Sequence, residues 1–140
     1  MNEPHRIRLR GPWEVAAIEC TSESTLPNPS RMTIPCAWRD GGWVGFRGRA
    51  LHSRAFGKPT RLDANEHIYL VIEPATGIGV ARLNGQVLGE LLADSTIESD
   101  VTGLLKLRNL LEIEIAADHD GGGVTGEVSL EIRRMTASEN

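Results

Sequence analysis

The chain has 140 residues, of which 40% are hydrophobic and 24% charged, with a formal net charge of −4. One domain fits that length, and it would bury about 68 to 70% of the surface its unfolded chain exposes. The acidic balance argues against nucleic acid, which needs a basic surface to neutralise phosphates, and no apolar run approaches the roughly 20 residues of a membrane span.

The first residues, Met1-Asn2-Glu3-Pro4-His5-Arg6, lack the apolar stretch of a secretory signal, so the sequence predicts a cytoplasmic protein without a membrane partner. Arg6-Ile7-Arg8-Leu9-Arg10 alternates charged and apolar side chains with the period of a half-buried strand. Gly11-Pro12 breaks it, and Trp13 to Glu19 resumes an extended pattern. Residues 22–30 read as a surface loop, and Arg31-Met32-Thr33-Ile34 alternates again before Pro35. The turn-rich run Cys36-Ala37-Trp38-Arg39-Asp40-Gly41-Gly42 predicts irregular structure. From Gly45 to Phe56 the alternation has no clean register, which predicts a bulged or bent strand.

Glu66 to Ile72 is rich in β-formers, with Ile68, Leu70 and Ile72 on one face. Asn84-Gly85 lies between two extended runs, and both residues tolerate the positive φ that a type I′ turn requires, so a hairpin is predicted there. Thr96 to Val101 reads as a further strand, followed by a single helical turn over Gly103 to Leu107 capped by Thr102. Leu110 to Ile115 alternates apolar and acidic residues, Asp118 to Gly126 is a glycine-rich loop, and Glu127 to Arg133 is the last strand, with Val128, Leu130 and Ile132 buried. Short strands with turn signals and almost no helical periodicity predict an all-β, single-domain β-sandwich over residues 1–140, with disordered tails at about 1–5 and 135–140.

The order of motifs resembles the jelly-roll sugar-binding domain that precedes the catalytic barrel in family 2 glycoside hydrolases, a galactose-binding-domain-like fold. The matching pieces are Gly11-Pro12-Trp13-Glu14-Val15, Ile34-Pro35-Cys36-Ala37-Trp38, His52-Ser53-Arg54-Ala55-Phe56 and the run from Val80 to Gly89. They continue through Asp100-Val101-Thr102-Gly103-Leu104-Leu105, Asn109 to Ile113, and Gly121-Gly122-Gly123 leading into Glu127-Val128. The resemblance implies a stand-alone, non-catalytic, carbohydrate-binding-like module, because in that family the catalytic carboxylates sit on a separate barrel that 140 residues cannot contain. Where the family often carries an apolar residue and an aromatic after its late Gly-Gly, this chain has Val124-Thr125, which weakens a stacking platform in that loop.

Glycosidase chemistry needs two carboxyls roughly 5 to 9.5 Å apart across a sugar, and the acidic residues here sit mostly at alternating strand positions that read as solvated faces. No G-x-S-x-G nucleophile setting is present. Cys20 and Cys36 are too few for a disulfide framework and lack zinc-site spacing, so two reduced thiols are expected. For sugar binding the candidates are Trp38 and Trp43 as aromatic faces, with Arg39, Asp40 and Arg47 as hydrogen-bonding groups, against the alternative that the indoles pack the core. Asp118 and Asp120 are the candidate ligands for a structural Ca²⁺, against the alternative of a plain polar turn. The competing reading is a structural or protein-interaction domain with no small ligand, and a homo-oligomer is compatible with either.

Overall fold

The computed structural model describes residues 5–21 and 25–135, so the first tail, the rest of the second and part of the predicted loop at 22–30 lie outside the described residues. The described residues form ten strands. They are β1 (His5–Arg8), β2 (Trp13–Cys20), β3 (Ser30–Met32), β4 (Gly48–Gly57), β5 (Glu66–Ile72), β6 (Ile78–Leu83), β7 (Gln86–Leu91), β8 (Ile97–Asp100), β9 (Arg108–Ala117) and β10 (Val128–Arg134). A short 3-10 turn, Trp38–Gly41, lies between β3 and β4.

Two antiparallel sheets face each other. One has the order β1-β10-β5-β8 and the other β3-β2-β4-β9-β6-β7, so neighbours in space are mostly distant in sequence. The period-2 alternation decides what lies between them. Ile68, Leu70 and Ile72 of β5, Val128 and Leu130 of β10, and Leu111, Ile113 and Ile115 of β9 are all buried there with Trp13 and Trp38. The expected all-β sandwich is therefore the observed architecture.

Local chemistry explains the joints. Asn84 and Gly85 have φ of 52° and 85°, the pair of positive values that closes a tight hairpin between β6 and β7. Asn84 also accepts from the Leu110 amide at 2.9 Å and donates to Asn109 at 3.0 Å, tying the hairpin to β9. The bulge expected in the fourth strand lies instead in its partner: Ile18 is the extra residue where the β2–β4 register shifts between Ala17 and Glu19. A second shift, between Ala81 and Arg82, leaves Leu88 as the extra residue of β7.

The helical turn predicted after Thr102 is replaced by a plain turn in which the Leu104 amide donates to the Val101 carbonyl at 2.9 Å. The reason is that Thr102 is already engaged. Its hydroxyl donates to Asp100 at 2.7 Å and accepts from the Ile68 amide at 2.8 Å, fastening the turn to β5 rather than capping a helix. Burial alone would raise the Asp100 carboxyl, but the Thr102 hydroxyl and His67, 2.7 Å away, outweigh it and hold the group below its usual range. At the two ends of the described residues His5 begins β1, and the Met135 amide donates to the Asn65 carbonyl at 2.7 Å.

Candidate functional site

The sequence directs attention to one end of the sandwich, where the 37–47 segment meets the 118–126 loop. The two segments are joined by backbone bonds. The Trp38 amide donates to the Gly122 carbonyl at 2.8 Å, the Arg39 amide to the Asp120 carbonyl at 2.9 Å, and the Cys36 amide to the Val124 carbonyl at 2.9 Å. The glycine run makes this approach possible. A Cβ on Gly122 would lie 2.4 Å from the Ala117 Cβ and 2.9 Å from the Trp38 ring, so the backbone here lies flat against the indole.

Trp38 is fully buried and Trp43 is 5% exposed, which agrees with the alternative that the indoles pack the core. Their rings are used inside. Phe46 meets Trp38 edge-on at 4.8 Å between centroids and Trp43 at 5.0 Å, while His52 stacks near Trp38 at 6.5 Å. The physical reason is hydrophobic area: an indole buries more surface in this mixed aromatic cluster than it would keep dry as an exposed platform.

His52 completes the cluster and fixes its protonation. The Trp38 indole can only donate, so His52 Nε2, at 3.3 Å, must accept. The proton then resides on Nδ1, which donates to the Ile113 carbonyl at 3.0 Å. Burial pushes the His52 pKa down to about 4, against a smaller upward pull from that carbonyl. Sequence reasoning passed over His52, although its place four residues before Phe56 on one strand face marked it as inward.

The polar candidates divide. Asp120 Oδ2 accepts from the Gly45 amide at 2.8 Å, and Oδ1 lies 3.6 Å from Arg39 Nη1, so this carboxylate staples the two segments together. Asp118 is exposed, and among the described residues no three His, Cys, Asp or Glu side chains converge to hold a metal. Asp120 is thus engaged by Arg39 and the Gly45 amide, as in the alternative of a polar turn. Asp40 and Arg47 are exposed on the rim. The Arg47 carbonyl accepts from the Thr21 amide at 2.8 Å, which positions its backbone and leaves its side chain outward. Cys36 and Cys20 are not joined in a disulfide. Burial, with the Asp40 charge, pushes the Cys36 thiol up and keeps it protonated.

Elsewhere several carboxylates are engaged with arginines. Glu131 bonds Arg6 at 2.6 Å and Arg133 at 3.0 Å, and Arg133 lies 4.2 Å over the Tyr69 ring. Burial alone would raise the Glu131 carboxyl, yet the Arg133 and Arg6 hydrogen bonds prevail and lower it. Glu114 lies 3.1 Å from Arg49 and 3.8 Å from Arg82.

No protein-family model matches the sequence, and no curated protein matches it. Solved structures do. A Bifidobacterium dentium β-glucuronidase complexed with coumarin-3-O-glucuronide aligns with a TM-score of 0.75 at 19% identity, covering 96% of this chain and 31% of its own. A Faecalibacterium prausnitzii β-glucuronidase aligns with a TM-score of 0.77 at 16% identity, covering 96% and 32%. A GH2 β-galacturonidase from Eisenbergiella tayi bound to glycerol aligns at 0.68 and 18% identity, covering 91% and 24%. The chain therefore spans about a third or less of these similar chains, and at such identities the likeness is one of fold. The resemblance read from the motif order is matched by the architecture.

Proposed function

We propose that this chain is a non-catalytic, carbohydrate-binding-like module of the kind carried by family 2 glycoside hydrolases. The observation that carries the reading is the alignment of 96% of this chain onto only 31% of a β-glucuronidase, a share the size of one accessory domain. The electrostatics agree with a non-catalytic role. A glycosidase acid needs a raised pKa, whereas hydrogen bonds hold the Asp100 and Glu131 carboxyls below their usual range. With both indoles buried, sugar contact at the loop end falls to the exposed Asp40 and Arg47 and to Arg39, a polar set without a stacking face.

Calorimetric titration with neutral oligosaccharides and glucuronides tests the reading. Saturable binding that Arg47→Ala or Asp40→Asn removes without lowering the melting temperature is the expected result. No heat at millimolar sugar refutes it. One observation favours the second reading, a protein-interaction module: Ile78 and Val87 are 61% and 56% exposed on the outer face of the six-stranded sheet, where Leu92 also lies open. Absence of sugar binding together with a dimer in light scattering selects that alternative.

A further inference from the structure

We propose that the outer face of the six-stranded sheet docks an extended segment of another protein whose apolar side chains are flanked by basic ones. Register places the surface. Arg49 of β4, Ala116 of β9 and Ile78 of β6 pair in one row across the sheet, and Glu114, Val80 and Glu90 pair in the next. Ala50, Ile115 and Ala81 alternate with them and are fully buried, so both rows point away from the core.

The middle of this face is apolar and open. Ile78, Val87 and Leu92 are 61%, 56% and 51% exposed, and Val80 and Ala116 lie half-buried beside them. Two open depressions, of about 550 and 280 Å³, share Arg49, Ile78 and Ala116 and so form one groove. Large apolar side chains gathered on a solvent face mark a contact surface.

Charge decides the occupant. The groove is lined by four carboxylates, Glu19, Glu90, Glu114 and Asp118, against the single guanidinium of Arg49. Arg49 is already shared by Glu114 at 3.1 Å and Glu19 at 3.6 Å, and Arg82 at the border lies 3.8 Å from Glu114 and pairs with Glu112 across the sheet. Among the described residues no ion pair engages Glu90 or Asp118, and both are exposed. In a symmetric pair of copies the same patch meets itself, which would set one surplus of negative charge against an equal one. An anionic lipid surface is repelled for the same reason, and the lining holds no aromatic ring to face a sugar. A segment with cationic ends and an apolar middle matches both features of the groove. Its length follows from the sheet. Glu19 of β2 and Glu90 of β7 are four strand spacings apart, about 19 Å at roughly 4.8 Å each, which about seven extended residues span at about 3.3 Å per step. The inference goes beyond the sugar reading and holds whether or not sugar binds at the loop end.

The test follows the backbone amide signals of Ile78, Val80 and Ala116 while the heptapeptide Lys-Thr-Leu-Thr-Val-Thr-Lys, capped at both ends, is added. In an extended chain its lysines, leucine and valine face one side. Saturable shifts at these amides are expected, weakening as sodium chloride is raised. Replacing both lysines by glutamate, or the leucine and valine by serine, should abolish them. Ile78→Lys should abolish binding with the fold intact, since this side chain is exposed. Glu90→Gln should weaken it about two- to fivefold, the range for one exposed ion pair. No saturable shift at millimolar peptide, or equal binding of the glutamate peptide, overturns the proposal. So does a dimer in solution that Ile78→Lys disrupts, which would make a second copy the occupant and leave the interaction reading standing. Should Ile78→Lys fail to fold, the wild-type titrations decide alone.

Discussion

Acidification should unlock the His52–Trp38 pair before it disturbs the rest of the core. In the folded protein His52 is neutral with a pKa of about 4, against 6.5 for the free side chain. Protonation would place a hydrogen on Nε2, facing the indole N–H that now donates to it, and would charge a fully buried ring. The unfolded chain thus binds this proton more readily than the folded one between the two pKa values. Stability is fully present above pH 6.5 and is lost as the pH falls toward 4. The difference is worth about 3 kcal/mol at pH 4 and about 2 kcal/mol at pH 5. Denaturant unfolding followed by tryptophan fluorescence at pH 7, 6 and 5 measures it, with His52→Gln as the non-titrating reference. The wild type should lose about 2 kcal/mol more than the variant between pH 7 and 5. Asp100 and Glu131 also lose stabilisation on acidification, but the contribution is common to both proteins and falls at lower pH, since their carboxyls are held below the usual range. Parallel loss in the two proteins would refute the assigned protonation state.

Two further substitutions probe the loop end. Trp43→Ala should cost about 3 to 5 kcal/mol of unfolding free energy, as for large aromatic truncations in a core, and should leave any sugar affinity of the folded fraction unchanged. A stable variant that has lost sugar binding would instead reinstate Trp43 as a platform. Gly122→Ala should destabilise by about 1 to 3 kcal/mol, the range for overpacking, because the new methyl meets the Ala117 Cβ and the Trp38 ring. A melting temperature equal to that of the wild type would show that the loop does not seal the indole.

Much of the fold can be read from one-dimensional pattern because strand alternation and turn chemistry are local. Glu66–Ile72 occupies its predicted limits, and Asn84-Gly85 is a turn for the reason its residue types suggest. The failures come from partners distant in sequence. Thr102 looked free to cap a helix, yet Ile68, 34 positions away, claims its hydroxyl. The bulge of the β2–β4 pair lies in β2, whereas the glycines in Gly45 to Phe56 suggest irregularity in β4 and nothing in Trp13 to Glu19 does. At the candidate site, two tryptophans around Asp40-Gly41-Gly42 are equally consistent with a rim and with a core. The difference is made by Phe46 of the same segment, His52 of β4 and the Gly122 backbone of the 118–126 loop, which close over the rings. Asp120 similarly suits a metal site or a polar turn by residue type, and its contacts to the Gly45 amide and Arg39 come from a segment distant in sequence.

The extra residue at Leu88 governs how this protein can behave in a crowd. β7 is the outermost strand of its sheet, the position at which another chain could add itself and start an open-ended stack. The register shift there interrupts the regular spacing of donors and acceptors that an incoming strand would have to match. The sheet therefore carries its own stop against fibre growth at that edge, and deleting Leu88 would be the change that removes it.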